Sequence, residues 1–137
     1  MKIIICGSIK AANEIIKVKN DLEKKGHIVE IPEGVKHEEL RAKETDTYEE
    51  RAETKIKHNL IRGYYEKMKD YDVVLIVNPK LKGIKGYIGG NTLIEMAFGL
   101  ILNKKIYCLY PVPEMSYTSE ILAMQPIILN GDVLKIK

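Results

Sequence analysis

Residues 2–6 read KIIIC, a short run of mostly β-branched apolar residues that stops at Gly7. Continuous apolar runs of this length are typical of a central strand in a parallel sheet whose two faces are both covered by helices. From residue 12 to residue 25 apolar residues recur at helical spacing between lysines and glutamates, and Gly26 ends the pattern. The chain therefore begins with a strand that leads into an amphipathic helix.

The same two patterns alternate along the rest of the chain. Further strands are predicted at 27–32, 72–77, 105–110 and 126–130, and further helices at about 56–68, 92–103 and 118–124. The densely charged stretch 33–55 is predicted to be a mobile or loosely packed segment with a solvated face. Alternating strands and helices predict one domain over residues 1–137, a flavodoxin-like or Rossmann-like three-layer α/β sandwich with a five-stranded parallel sheet.

Composition narrows the class of protein. The 137 residues are 45% hydrophobic, which is enough for one buried core. With 22 basic and 19 acidic residues the charge is too small and dispersed to predict nucleic-acid binding. No signal peptide or membrane-spanning run is recognised, so a cytoplasmic protein without a membrane partner is expected. Cys6 and Cys108 lie in apolar runs and are interpreted as reduced core thiols.

Ligands of parallel α/β sheets bind beyond the carboxyl ends of the strands, which directs attention to the loops after the first and third strands. The first loop, GSIKAAN (7–13), places Gly7 and Ser8 at a helix N-terminus, where backbone N–H groups and a hydroxyl suit a phosphate or a sugar. The alternative is a tight turn in which Ser8 only caps the helix. Glycines are missing for a dinucleotide fingerprint or a P-loop.

The second loop ends in IGGNTLIE (88–95), where glycines precede an apolar helix that carries Glu95. One interpretation is structural: with Thr92 as N-cap, Thr-x-x-Glu is a capping box and needs no ligand. That interpretation does not explain Gly89 and Gly90, which allow close approach of the backbone to another group. Both interpretations of Glu95 stay open at this point.

These two loops resemble those of the nucleoside 2-deoxyribosyltransferase superfamily, particularly its 2′-deoxynucleoside 5′-phosphate N-hydrolases. The matching pieces are CGSI (6–9), DVVLIV (72–77), Glu95 with Ala97, and KKIYCLY (104–110), and they cover most of the chain. GGNTLIE (89–95) is also similar to the glycine-rich signature of phosphoribohydrolases that cleave cytokinin nucleotides. Both groups break N-glycosidic bonds.

The resemblance implies an enzyme without metal or organic cofactor, in which Glu95 attacks the anomeric carbon and forms a glycosyl ester. The residues implied to bind substrate are Gly7, Ser8, Ile9, Lys10, Asn78, Gly89, Gly90, Asn91 and Thr92. Ser116, Ser119 and Met124 lie where the hydrolases send residues into a neighbouring subunit's site, so a homodimer with shared active sites is implied.

The chain departs from the family pattern at three of these positions. Tyr64 stands where the hydrolases carry an aspartate, and Asn78 stands where the transferases often carry one. Lys10 replaces an arginine, which keeps a charge but not a bidentate fork. The acid that helps the base leave is therefore unassigned, with Tyr64, Asp72 and His58 as candidates.

The expected activity is hydrolysis of a (deoxy)nucleoside 5′-monophosphate, because Ser8, Lys10 and the glycine loop suit an anion. Base exchange between deoxynucleosides is one alternative. A nucleotide-binding sensor or adaptor without turnover is another, and the sequence leaves open whether residues 33–55 form a lid.

Overall fold

A computed structural model describes all residues from Met1 to Lys137. Its strands are β1 (Lys2–Cys6), β2 (Ile28–Glu30), β3 (Val73–Ile76), β4 (Lys105–Cys108) and β5 (Ile127–Ile128). All neighbouring pairs are parallel, and the strands form one sheet in the order β2-β1-β3-β4-β5. This is the strand order of flavodoxin-like folds, so the predicted single-domain α/β architecture is confirmed.

Helices cover both faces of the sheet. They are α1 (Ala12–Lys24), α2 (Glu33–Lys36), α3 (Tyr48–Lys57), α4 (Leu60–Met68), α5 (Gly90–Ile101) and α6 (Thr118–Ala123). Because alternate residues of a strand point to opposite faces, β1 serves two cores. Ile3 and Ile5 pack with α1, whereas Ile4 and Cys6 pack with α4, α5 and α6. None of these helices has the length and apolar character needed to cross a membrane.

Most strands end earlier than the apolar runs predict. Val77, Leu109 and Leu129 each lie just beyond a strand end and are still buried, at 1%, 2% and 0% exposure. Each donates one backbone hydrogen bond to the neighbouring strand before its own chain turns away. Apolar character therefore continues past the regular ladder, into the loops that form the ligand edge.

The charged segment is more regular than predicted. Helix α3 begins with a capping box in which the Thr47 hydroxyl accepts from the Glu50 N–H at 3.1 Å and the Glu50 carboxylate accepts from the Thr47 N–H at 3.0 Å. No side chain of α3 is buried. The absence of buried side chains agrees with the predicted loose packing. The regular backbone was not predicted, because the capping box that starts this helix was not recognised among the many charged residues.

Candidate active site

A cleft of about 300 Å³ opens beyond the carboxyl ends of β1 and β3. These strands are neighbours, but the chain leaves β1 towards β2 and leaves β3 towards β4, in opposite directions across the sheet. Such a reversal is where ligands of doubly wound sheets bind. We call this space the Glu95 cleft. The predicted site residues that line it are Gly7, Ser8, Ile9, Lys10, Tyr64, Gly89, Gly90, Asn91, Thr92 and Glu95.

One wall of the Glu95 cleft is the turn that follows β1. A Cβ atom at Gly7 would lie 2.8 Å from the Val77 carbonyl oxygen, so this turn can approach the end of β3 only without a side chain. The Ser8 oxygen accepts a hydrogen bond from the Lys10 N–H at 3.2 Å and caps a short 3₁₀ turn. Ser8 is therefore a cap, as the structural alternative predicted, and it also lines the cleft.

A second wall is the start of α5. Gly89 is its N-cap residue and no side chain caps the helix. The backbone N–H groups of Gly90, Asn91 and Thr92 donate to no acceptor in the protein. A Cβ atom at Gly90 would meet nothing within 4 Å, so the fold itself does not require glycine there. Free donors beside empty space are what an anion or a sugar hydroxyl requires.

The capping-box interpretation of Glu95 is wrong. The extended backbone of Gly89 starts the helix before Thr92, which is therefore its third residue and not its N-cap. Glu95 consequently lies in the second turn, where its carboxylate satisfies no N-terminal donor. The Thr-x-x-Glu pattern is present, but its threonine lies three residues after the N-cap position, where a capping box cannot form.

The Glu95 carboxyl group is the most perturbed acid of the cleft. Its residue is only 6% exposed, and it forms no ion pair with a lysine or an arginine. Burial raises the pKa of Glu95 to about 8, and a hydrogen bond from the Cys6 thiol acts in the opposite direction. A buried carboxyl group at a cleft, without a compensating cation, is characteristic of functional acids.

Cys6 and Tyr64 stand beside this carboxyl group on the sheet side. Burial raises the pKa of the Cys6 thiol, and the nearby charge of Glu95 raises it further. The Tyr64 hydroxyl donates its proton to the carbonyl oxygen of Ile5 in β1, and burial raises its pKa well above the usual value. Sequence reasoning placed Cys6 in the core correctly but missed its contact with Glu95, which only the pairing of β1 with α5 reveals.

Asn78 lies outside the Glu95 cleft. Its side chain is fully buried, its amide nitrogen donates to the Tyr110 carbonyl at 3.0 Å, and its amide oxygen accepts from the Tyr110 N–H at 3.0 Å. Weaker bonds reach the carbonyls of Gly86 and Pro111. Asn78 thus ties the loop after β3 to the loop after β4, and its buried amide nitrogen donates to backbone carbonyls of the protein.

The predicted residues near α6 also lie outside the Glu95 cleft. Ser116 and Ser119 are exposed, and the Ser119 hydroxyl bonds Glu120 at 2.9 Å. Met124 packs against the core cluster beneath α4, α5 and α6. In a single copy of the chain these residues do not line the Glu95 cleft.

The structure adds lining residues that the sequence did not single out. Those of the charged segment are Glu33, Gly34, Leu40, Ala42, Glu44, Arg51 and Lys55, and those of the loop after β3 are Lys82 and Tyr87. The residues of the charged segment could be recognised in the sequence only by their high density of charge, and charge density does not indicate which side chains face the cleft. No group of three or more His, Cys, Asp or Glu side chains comes together as metal ligands would.

We compared the chain with family models, with curated proteins and with solved structures. No match was found. What the Glu95 cleft does therefore has to be inferred from its own residues.

Proposed function

We propose that the protein cleaves the N-glycosidic bond of a (deoxy)nucleoside 5′-monophosphate, with Glu95 as the nucleophile. The observation that carries the proposal is the buried, unpaired Glu95 carboxyl group at the strand-order reversal, one turn inside a helix whose first N–H groups are free. The family resemblance of the two loops agrees with this chemistry but adds no independent evidence of turnover.

In the proposed reaction the ionised Glu95 attacks the anomeric carbon while the base departs with the bonding electrons and takes up a proton. The resulting glycosyl ester is then hydrolysed by water, which restores the carboxylate and gives the sugar phosphate. Only the ionised carboxylate can attack. Because the pKa of Glu95 is about 8, the reactive form increases through the mildly alkaline range.

The remaining predicted residues are assigned to binding. The free N–H groups of Gly90, Asn91 and Thr92, together with Ser8 and Lys10, offer donors to the sugar and its phosphate from two walls of the cleft. Residue chemistry of this kind needs no metal or organic cofactor. A monophosphate is preferred over a nucleoside because these donors and the Lys10 charge suit an anion.

Tyr64 is assigned to positioning. Its hydroxyl proton is directed to the Ile5 carbonyl, and a phenol whose pKa is raised by burial is a poor proton donor. Tyr64 instead fixes the end of β1 next to Cys6, which contacts Glu95. The leaving base then takes its proton from water in the cleft.

The same observation favours a second candidate function. Because the Tyr64 hydroxyl is bonded to the Ile5 carbonyl and is not assigned as the acid, the cleft also suits a sensor or adaptor that binds a nucleotide and does not turn it over. Base exchange is the third possibility, since a second base can replace water in the hydrolysis of the ester.

We further propose that the chain forms a homodimer through the outer surface of α5. Ile94, Leu100 and Ile101 are 41%, 44% and 73% exposed there, and Leu122 of the neighbouring α6 is 56% exposed. Apolar side chains grouped on a helix surface favour self-association. In a dimer with shared active sites, Ser116 and Ser119 would have to reach the cleft of the second copy. Sedimentation of wild type and of Ile101→Asp tests the dimer, which the variant should dissociate.

The experiment for the activity is chromatographic detection of free base after incubation with a panel of ribo- and deoxyribonucleoside 5′-monophosphates. Wild type should release base, and Glu95→Gln should lower the rate at least about a thousandfold. Glu23→Gln, on the exposed side of α1, is the matched control. Adding a second base separates transfer from hydrolysis. Binding of the nucleotides with no base release at high protein concentration would favour the sensor.

A further inference from the structure

Three lysines line the Glu95 cleft and have no carboxylate partner, namely Lys10, Lys55 and Lys82. Lys55 belongs to α3 and Lys82 to the loop between β3 and α5. Neither forms an ion pair, although five other lysines do. We propose that Lys55 and Lys82 form a clamp for the phosphate of the ligand and make the cleft select 5′-phosphorylated sugars over unphosphorylated ones. This inference rests on the proposed function in that it concerns the same site.

Lys55 lines the cleft from α3, and its ammonium group forms no hydrogen bond or ion pair within the protein. One turn earlier on α3, the Arg51 guanidinium donates to the carbonyls of Asp46 at 3.3 Å and of Lys43 at 3.2 Å. Arg51 therefore fastens α3 to the preceding turn and has few donors left. The half-buried Lys55 makes no side-chain hydrogen bond, so all three of its N–H donors remain for a ligand.

Lys82 is presented by a tight turn in an unfavourable backbone conformation. Leu81 and Ile84 exchange backbone hydrogen bonds of 3.1 and 2.9 Å, and the two residues between them both have positive φ, 53° at Lys82 and 74° at Gly83. These are the features of a type I′ turn, whose first central position favours Asn, Asp or Gly. A lysine there costs backbone free energy, and such strain is concentrated at functional sites.

A cation–π contact with Tyr87 positions the Lys82 ammonium group. Its Nζ lies 5.3 Å from the centre of the Tyr87 ring, which also lines the cleft. This cation–π contact keeps the ammonium group at the cleft without neutralising its charge.

The charge balance of the cleft favours an anion. Among its acidic side chains, Glu33 is paired with Lys67, and Glu95 is predominantly neutral below about pH 8. Glu44 is exposed to solvent. Near neutral pH the uncompensated charges close to the cleft are thus mainly those of lysines. Lysine binds phosphate as a compact point charge, and the free N–H groups at the start of α5 supply directional donors.

The inference is tested by titration calorimetry with ribose 5-phosphate and with ribose. Wild type should bind the phosphorylated sugar at least about tenfold more tightly. Lys55→Gln and Lys82→Gln should each weaken ribose 5-phosphate binding by about tenfold and leave ribose binding unchanged. Lys57→Gln, on the same helix but outside the cleft, and Lys85→Gln, in the same loop, are controls that should bind as wild type does.

Folding and binding are separated by Lys82→Gly. This variant removes the charge and relaxes the left-handed backbone, so it should unfold at a higher temperature while binding ribose 5-phosphate as weakly as Lys82→Gln. Equal affinity of wild type for the two sugars, or unchanged phosphate affinity in both glutamine variants, would overturn the clamp. Base release from the nucleoside 5′-monophosphates is a separate measurement. If the protein binds ribose 5-phosphate selectively but releases no base from any nucleotide, the proposed enzyme is contradicted and the clamp is not.

Discussion

The Cys6 side chain at the end of β1 lies beside the Glu95 carboxyl group of α5, and its thiol acts on the pKa of that group as a hydrogen-bond donor does. A donor to a carboxylate stabilises its ionised form. Cys6 therefore lowers the pKa of Glu95 from the higher value that burial alone would give, and it increases the ionised fraction of this carboxyl group at any pH near neutrality.

The first prediction concerns the pH dependence of turnover. If Glu95 must be ionised, kcat/KM should rise with pH and level off above about 8, the pKa of its carboxyl group. Cys6→Ala removes the thiol donor and should move the midpoint to higher pH. Rates of base release between about pH 6 and about pH 9 measure both midpoints. Cys108→Ala, which removes another buried thiol outside the cleft, should leave the midpoint unchanged.

The second prediction concerns the pH dependence of stability. The folded pKa of Glu95, about 8, lies above its unfolded value of 4.5, so its stabilising contribution is complete below pH 4.5 and is lost as pH rises through 8. Within that window the free energy of unfolding should fall by up to about 1.4 kcal/mol per pH unit. Glu95→Gln has no such titration.

Urea denaturation of both proteins across this window isolates the effect as their difference. The difference should favour Glu95→Gln increasingly as pH rises, and it should stay constant above about pH 8. If the free energies of unfolding of the two proteins instead changed in parallel with pH, burial would not have raised the pKa of Glu95.

The third prediction contrasts two glycines of the loop that leads into α5. Gly86 has a φ of 70°, and a Cβ atom there would lie 2.2 Å from the Pro111 carbonyl oxygen, so Gly86→Ala should lower the free energy of unfolding by several kcal/mol, about 3 or more. A Cβ at Gly90 meets nothing, so Gly90→Ala should be neutral or stabilising by about 0.5 kcal/mol.

Ligand binding should respond in the opposite way at Gly90. The added methyl group would stand among the free N–H groups of α5, so Gly90→Ala should weaken ribose 5-phosphate binding although the protein is no less stable. Thermal denaturation and calorimetry on the same sample measure the two effects. A variant that binds as tightly as wild type would remove the start of α5 from the site.

Much of the fold was predictable from the sequence because each central strand is a short, continuous apolar run with a clear change of period after it. The pairing of β1 with β3 brings Ser8 and Glu95 to one cleft, and this followed from the general placement of ligands in parallel sheets. Strand ends were less predictable, since buried residues such as Val77 continue beyond the regular pairing.

The positions of Lys55 and Lys82 at the cleft and the hydrogen bonds of Asn78 were not predictable from the sequence, for physical reasons. Helix α3 buries no side chain, so no apolar pattern tells which of its charged residues faces the cleft. Asn78 is fixed by the carbonyl of Tyr110, a residue far along the chain, and only the packing of two loops reveals that contact. The capping-box pattern misled because Gly89 starts α5 earlier than Thr92.

The fourth prediction separates positioning from acid catalysis at Tyr64. Its hydroxyl proton is bonded to the Ile5 carbonyl, so Tyr64→Phe should lower the free energy of unfolding by about 1 kcal/mol and kcat by less than about tenfold. Denaturation and single-turnover base release provide the two measurements. A loss of kcat of about a hundredfold or more, relieved for a substrate whose leaving group needs no proton, would instead identify Tyr64 as the general acid.

Helix α3 forms part of the cleft wall, yet no side chain of it is buried, and its N-terminal cap and Arg51 bond only within residues 43–51. An element without buried side chains belongs to the least protected part of a fold, which opens locally at a small fraction of the global unfolding free energy. Amide hydrogens of α3 should therefore exchange with solvent far sooner than those of α5. If the cleft binds a nucleotide as proposed, fast local fluctuations of this helix would admit the ligand to Glu95 while the sheet and α5 stay rigid.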